Sequence, residues 1–346
     1  MRPFARSFAL AVLPFLVGLV GCAADAPTGA SAAVSDLNTH YSSWSPALSA
    51  ELAAPGAHPS FNSAFLDGCP FPSRDGKLFF MASNRPRHAG ETGPVDIDIW
   101  VSTRASEDEP WGEPVNVGAP VNSAANDFCP TLARDGHTFY FVSNRPDGCG
   151  GDDIYTTRLR DPDAFADGGA WDEVHNLGCQ VNSAGNEASP VPIPEPGSGP
   201  VLYFSSTRAG GFAPDLEGAL PDADIYRSEW NGSAFGSAAL VPGVNSSSED
   251  GQPNLRRDAL EIFFYSNRPD PHAQGGNDIY SATRAKASDV WAPPVNLGPN
   301  VNSAAGETRP SPSWDGTTLY YGSTRPGEGL SDIYVTTRQR LSGKNQ

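Results

Sequence analysis

Ser143-Asn-Arg-Pro-Asp-Gly-Cys-Gly-Gly-Asp-Asp-Ile-Tyr155 decides the fold, because both of its ends recur along the chain. An arginine closing S-N-R or S-T-R stands at Arg85, Arg145, Arg208, Arg268 and Arg325, at steps of 60, 63, 60 and 57 residues. A D-I-Y or D-I-W follows each, opening at Asp98, Asp153, Asp224, Asp278 and Asp332. Next come a tryptophan (Trp111, Trp171, Trp230, Trp291) and a V-N-S centred on Asn122, Asn182, Asn245 or Asn302. Pro70, Pro130, Pro190, Pro253 and Pro310 open the units. Self-similarity at a fixed period of this length marks a repeat architecture. There are five repeats.

Each unit reads as four strands. Pro130-Thr-Leu-Ala133 is a short strand A, and Arg134-Asp-Gly136 is a hairpin turn. His137 to Asn144, aromatic and β-branched, is strand B, and Asp153 to Arg158 is strand C. The segment that carries the tryptophan is strand D. Prolines crowd strand A, as at Pro70 and Pro72, Pro190 and Pro192, and Pro310 and Pro312. Proline is tolerated on sheet edges, and the innermost strand of a propeller blade is such an edge. The fifth unit stops after strand C, at Arg338. Its missing strand D lies at the other end, where Trp44, Asn62 and Asp67 precede Pro70 as Trp111, Asn122 and Asp127 precede Pro130. The expectation is an all-β, five-bladed β-propeller over residues 44–340, its last blade closed by the N-terminal strand, with a short tail at 341–346.

Composition agrees. The 346 residues include 36 Gly and 33 Pro, too many turn formers for long helices. Aromatic residues at 10% exclude a disordered chain. A net charge of −17 argues against binding nucleic acid or anionic headgroups.

Arg2 and Arg6 precede an apolar stretch from Phe8 to Val20, and Leu19-Val-Gly-Cys22 follows. This is the pattern of a secretory signal, too short for a membrane span. Leu-Val-Gly-Cys resembles a bacterial lipobox, which implies a signal peptide at 1–21, lipid attachment at Cys22, and a flexible tether at 22–43. Ala23 implies sorting to the outer membrane. The membrane would be met through the anchor alone.

Four cysteines remain, an even number that suggests disulfides in an exported chain. Cys149 and Cys179 fall on one face of one blade and are paired here. Cys69 and Cys129 hold equivalent places in neighbouring blades, and pairing them would staple blades one and two. No Cys-x-x-Cys and no histidine pair is present, so no metal centre is expected.

The repeats resemble the TolB-like, WD-repeat-like propeller units of bacterial envelope proteins, as found N-terminal to OmpA-type domains. The resemblance covers residues 44–340 and implies fold more than activity. TolB has six blades, so its partner contacts are not implied. No OmpA-type domain follows, so direct peptidoglycan anchoring is not implied either.

In a propeller the D–A and B–C loops share one face. Each repeat places there an acid three residues before its proline: Asp67, Asp127, Glu187, Asp250 and Glu307. These could form a ring for a cation or cationic ligand, with calcium as the only candidate cofactor. Their recurrence favours instead a structural network with Arg85, Arg145, Arg208, Arg268 and Arg325 and with the strand C aspartates. The repeated Trp171 and Tyr155 read as core. Acids that break the repeat, Asp96, Asp152, Asp215, Glu217 and Asp222, lie in B–C loops. The function expected from these features is a lipid-anchored, non-catalytic binding scaffold, with an envelope protein, polysaccharide or peptidoglycan as partner. The alternative is a glycoside hydrolase-like enzyme using channel carboxylates.

The anchor is directly testable. Cys22→Ser should move the protein from the membrane to the soluble fraction, whereas unchanged membrane retention would rule out lipidation.

Overall fold

Among the described residues of this computed structural model (41–50, 61–88, 90–165, 169–195, 199–212 and 221–341), twenty strands form five four-stranded antiparallel sheets. β1 (Leu48–Ser49) comes first in the chain. Blade one is β2 (Asp67–Pro72), β3 (Leu78–Ser83), β4 (Asp98–Thr103) and β5 (Val115–Asn116). Blade two is β6 (Asp127–Leu132), β7 (Thr138–Ser143), β8 (Asp153–Arg158) and β9 (His175–Asn176). Blade three is β10 (Glu187–Pro194), β11 (Pro200–Ser206), β12 (Asp224–Glu229) and β13 (Ala239–Leu240). Blade four is β14 (Asp250–Leu255), β15 (Glu261–Ser266), β16 (Asp278–Thr283) and β17 (Val295–Asn296). Blade five supplies β18 (Glu307–Pro312), β19 (Thr318–Ser323) and β20 (Asp332–Thr337), and β1 pairs with β20 as its outer strand.

Strand B reads as an unbroken apolar run because each sheet is covered on both faces by its neighbours. In β3, Phe79, Phe80, Met81 and Ala82 are all fully buried. The apolar side chains gather in clusters between blades. Tyr203 and Ile225 of blade three meet Phe264 and Trp291 of blade four. Phe79 and Met81 of blade one meet Tyr320 and Ile333 of blade five. This last contact closes the ring, with the Phe79 and Tyr320 rings 5.1 Å apart edge to face. Trp171 and Tyr155 are core residues, as their recurrence implied.

The V-N-S asparagine explains why strand D can be as short as two residues. Asn122 accepts a hydrogen bond from Ile99 N–H and donates to the same residue's carbonyl, both at 2.9 Å. Asn182, Asn245 and Asn302 treat Ile154, Ile225 and Ile279 in the same way. The side-chain amide thus acts as one further rung of ladder on strand C. Asn62 grips Ile333 with the same pair of bonds, at 2.7 and 3.1 Å, across 271 residues of sequence.

Strand A carries a bulge in every blade. Its register shifts around the residue that precedes the repeat proline. Those residues, Cys69, Cys129, Ser189, Gln252 and Arg309, have φ between 48° and 55°. Non-glycine residues adopt this left-handed conformation at a cost of about 1–3 kcal/mol each. Five such bulges turn strand A at the axis.

Closure through Asn62 has a measurable consequence. Asn62→Ala leaves the buried N–H of Ile333 without its partner and removes one of the two hydrogen bonds to its carbonyl, which keeps Ala50 N–H, and should destabilise the protein by about 1–3 kcal/mol. Asn182→Ala in an interior blade should cost a similar amount. Denaturant unfolding would show the loss as a lower midpoint, and an unchanged midpoint for Asn62→Ala would mean that the N-terminal segment does not hold the ring.

Candidate functional site

The acids of the predicted ring are all fully buried. Asp67 accepts hydrogen bonds from Ser63 N–H and Oγ at 2.6 and 2.7 Å and from Arg85 Nη2 at 2.6 Å. The same guanidinium reaches the Phe61 carbonyl at 2.6 Å. Arg145 joins Asp127 at 2.7 Å, Arg208 joins Glu187 at 3.2 Å, Arg325 joins Glu307 at 2.9 Å, and Arg268 joins Asp250. Each arginine also lies over the aromatic ring of its own D-I-Y or D-I-W, from 4.4 Å for Arg325 on Tyr334 to 5.5 Å for Arg85 on Trp100. The motifs are therefore two halves of one contact.

This corrects the ring of cation ligands. Carboxylates without exposed surface, already bonded to serine and arginine, present no oxygens to calcium or to a cationic ligand. Among the described residues, no group of three or more His, Cys, Asp or Glu is placed to hold a metal ion. The strand C aspartates form a second, separate knot. Asp278 accepts from Gln274 N–H at 2.7 Å and from Asn296 Nδ2 at 2.8 Å, tying the B–C loop to strand D. Asp153 serves Cys149 N–H and Asn176 in the same way, and a Cβ on Gly148 would collide with its carboxylate. The expected sharing of one arginine by both acids is not what holds the loops.

Cys149 and Cys179 are bridged as expected. Cys69 and Cys129 are free and buried, so the disulfide staple between blades one and two is corrected to a pair of neighbouring thiols. They line the channel together with Ser189, Gln252 and Arg309. Ser189 Oγ lies 3.4 Å from Cys129 Sγ. Burial pushes the Cys129 thiol up, but the hydrogen bond from Cys69, the charge of Arg309 and the hydrogen bond from Ser189 outweigh it and bring it down to about 6. Burial and the shared proton hold Cys69 well above the ordinary thiol range.

Arg309 crosses the channel from blade five, with its guanidinium 5.5 Å over the Phe128 ring of blade two. Two carboxylates outside the repeat lie on this side. Asp152, in the loop before β8, gives its carbonyl to Glu187 N–H and is half-buried. Its carboxyl is raised by burial, opposed by the charge of Arg309 and reinforced by Glu187 and Asp153. Glu249, just before β14, accepts a hydrogen bond from Tyr265 Oη at 2.5 Å. Burial and then Glu249 push the Tyr265 phenol up, against the charge of Arg309. Neither Asp152 nor Glu249 has an ion-pair partner within 4 Å among the described residues.

Of the other acids that break the repeat, Asp96 is consumed by Arg87 at 2.6 Å, and Asp222 is exposed. Asp215, Glu217 and Cys22 lie outside the described residues. Glu249, Tyr265 and Arg309 escaped the sequence reading, although each departs from its repeat. Glu249 stands where the other units have Leu66, Asn126, Asn186 and Gly306. Arg309 stands where they have Cys69, Cys129, Ser189 and Gln252.

No protein family and no curated protein is matched by this sequence. Solved structures are. An α-L-arabinofuranosidase from Lactobacillus brevis matches at 13% identity and a TM-score of 0.50, over 81% of this chain and 92% of that chain. A glycoside hydrolase matches at 10% identity and a TM-score of 0.55, over 91% and 97%. A putative TolB from Agrobacterium tumefaciens matches at 16% identity and a TM-score of 0.39, over 80% and 91%. The five four-stranded sheets are the propeller fold that the repeat resemblance implied. The expectation of a non-catalytic scaffold is corrected: two of the solved structures matched over 92% and 97% of their length are described as an arabinofuranosidase and a glycoside hydrolase, a likeness of fold at 13% and 10% identity.

The thiol pair is open to a spectroscopic check. The ultraviolet thiolate absorbance that disappears in Cys129→Ser should titrate near pH 6 in the parent protein and move upward in Arg309→Gln. An ordinary midpoint near ~8.5 in the parent would contradict the channel electrostatics.

Proposed function

We propose that this chain is a glycoside hydrolase-like, carbohydrate-active enzyme that works at the B–C/D–A mouth of its channel. The observation that carries this reading is the pair Asp152 and Glu249. They are carboxylates outside the repeat pattern, without an arginine or lysine partner within 4 Å among the described residues, on the same face of the propeller; the charge of Arg309 reaches Asp152, and Tyr265 holds Glu249. Glycoside hydrolysis needs one carboxylic acid to protonate the leaving oxygen and one carboxylate to act as base or nucleophile.

Asp152 suits the acid, since burial favours its protonated form. Glu249, oriented by Tyr265, suits the carboxylate. Arg309 supplies a fixed positive charge that orients substrate hydroxyls and balances the second carboxylate. The fold-level likeness to the arabinofuranosidase makes α-L-arabinofuranosides the first substrates to offer. The N-terminal signal and Cys22 support an outer-membrane lipoprotein, which would hold such an enzyme beside extracellular or envelope glycans.

Asp152→Asn and Glu249→Gln should each lower kcat by about 10²–10⁴-fold, the usual contribution of a positioned acid or base. Activity should fall as pH rises through the Asp152 value, because the acid must be protonated, and the raised value carries activity to higher pH than an ordinary aspartate would. Release of arabinose from aryl arabinofuranosides measures this. Equal activity in both variants, or none in the parent across a panel of arabinosides, galactosides and uronides, would overturn the reading.

A further inference from the structure

The opposite mouth of the channel, formed by the A–B turns, carries a different chemistry. The same turn position is Arg74 in blade one, Arg134 in blade two, Arg257 in blade four and Trp314 in blade five. Blade three has Pro194 there. All four side chains line one depression at the axis. Arg74 lies 5.1 Å and Arg134 5.5 Å from the centre of the Trp314 ring, so one indole holds two guanidiniums from neighbouring blades. The three arginines are exposed, and Trp314 is half-buried.

None of the three has a carboxylate within 4 Å among the described residues. The aspartate that follows each turn residue is used elsewhere. Asp75 accepts from Ser73 Oγ at 2.6 Å, and Asp135 accepts from Thr138 N–H and Oγ1 at 2.8 and 2.6 Å. Asp258 is bound by Arg256 at 2.9 Å, and Asp315 is bound by Ser313 and Thr317. In a chain of net charge −17, an uncompensated cluster of three guanidiniums is a local reversal of the field. The bulk of the chain repels polyanions, whereas this mouth is locally cationic.

We propose that the A–B turn mouth binds a carboxylate-bearing polysaccharide through Arg74, Arg134 and Arg257 arranged around Trp314. Guanidinium forks match the two oxygens of a carboxylate, and stacking on indole presets their planes at low entropic cost. Three forks around an axis suit a ligand with repeated charges, such as a chain of uronates. The choice of a polysaccharide rests on the carbohydrate-active reading above, whereas recognition of an oxyanion does not. The site would hold polymer on one face while chemistry proceeds on the other.

Affinity electrophoresis of the full chain through gels containing polygalacturonate, its methyl-esterified form or inorganic polyphosphate tests this. The parent should be retarded by polygalacturonate alone, less so as salt rises. Arg74→Gln/Arg134→Gln should weaken retardation about tenfold, a change worth ~1.4 kcal/mol, at an unchanged melting temperature. Asp152→Asn should bind as the parent does, so failure of the catalytic reading leaves this result intact. Retardation equal in the parent and the double variant, retardation by polyphosphate without polygalacturonate, or none at all would overturn the proposal.

Discussion

The structure depends on one contact made five times, the arginine that ends strand B. Its guanidinium neutralises a fully buried acid, reaches the carbonyl two residues before the serine that also binds that acid, and lies over the aromatic ring opening strand C. Bringing a carboxylate to zero exposure costs several kcal/mol unless charge and hydrogen bonds replace its water. Arginine supplies both in one planar group. The D–A corner, the end of strand B and the start of strand C are therefore fixed together, and the bulged strand A is held at the axis despite its left-handed residues.

Most of the fold was legible because these requirements recur at the repeat period. S-N-R, D-I-Y, V-N-S and the paired prolines each name a physical need, and their displaced copy around Trp44, Asn62 and Asp67 revealed the closure. Ion-pair partners were less legible. The sequence puts two acids and one arginine on the same face, but only packing decides that Asp127 takes Arg145 while Asp153 takes loop amides and Asn176. The Cys69–Cys129 staple failed for a related reason. Equivalent positions in adjacent blades bring the side chains together, and the thiols share the channel with Arg309 without forming a bond.

The proposed site was the least legible part, since it lies where the repeat is broken. Asp152 was visible as an acid in an unequal loop. Glu249 was hidden beside Asp250, an acid whose role the repeat already explained. Arg309 was hidden as one of five different residues at a position that looked like spacing before a proline. Alignment of the five repeats by backbone geometry exposes both, because only then does the occupant of each equivalent position become a comparison. The two faces of the propeller then differ: the proposed carboxylates stand on one, and the arginines of the A–B turns line the depression on the other.

The position of a bound sugar decides whether the proposed carboxylates act on glycosides. A crystal structure of Asp152→Asn with an arabino-oligosaccharide measures it. If Asp152 is the acid, a glycosidic oxygen lies within about 3.2 Å of the residue-152 side chain, with the adjoining sugar ring facing Glu249 and Arg309. A sugar seated away from the B–C/D–A mouth, with Asp152 and Glu249 untouched, would contradict it.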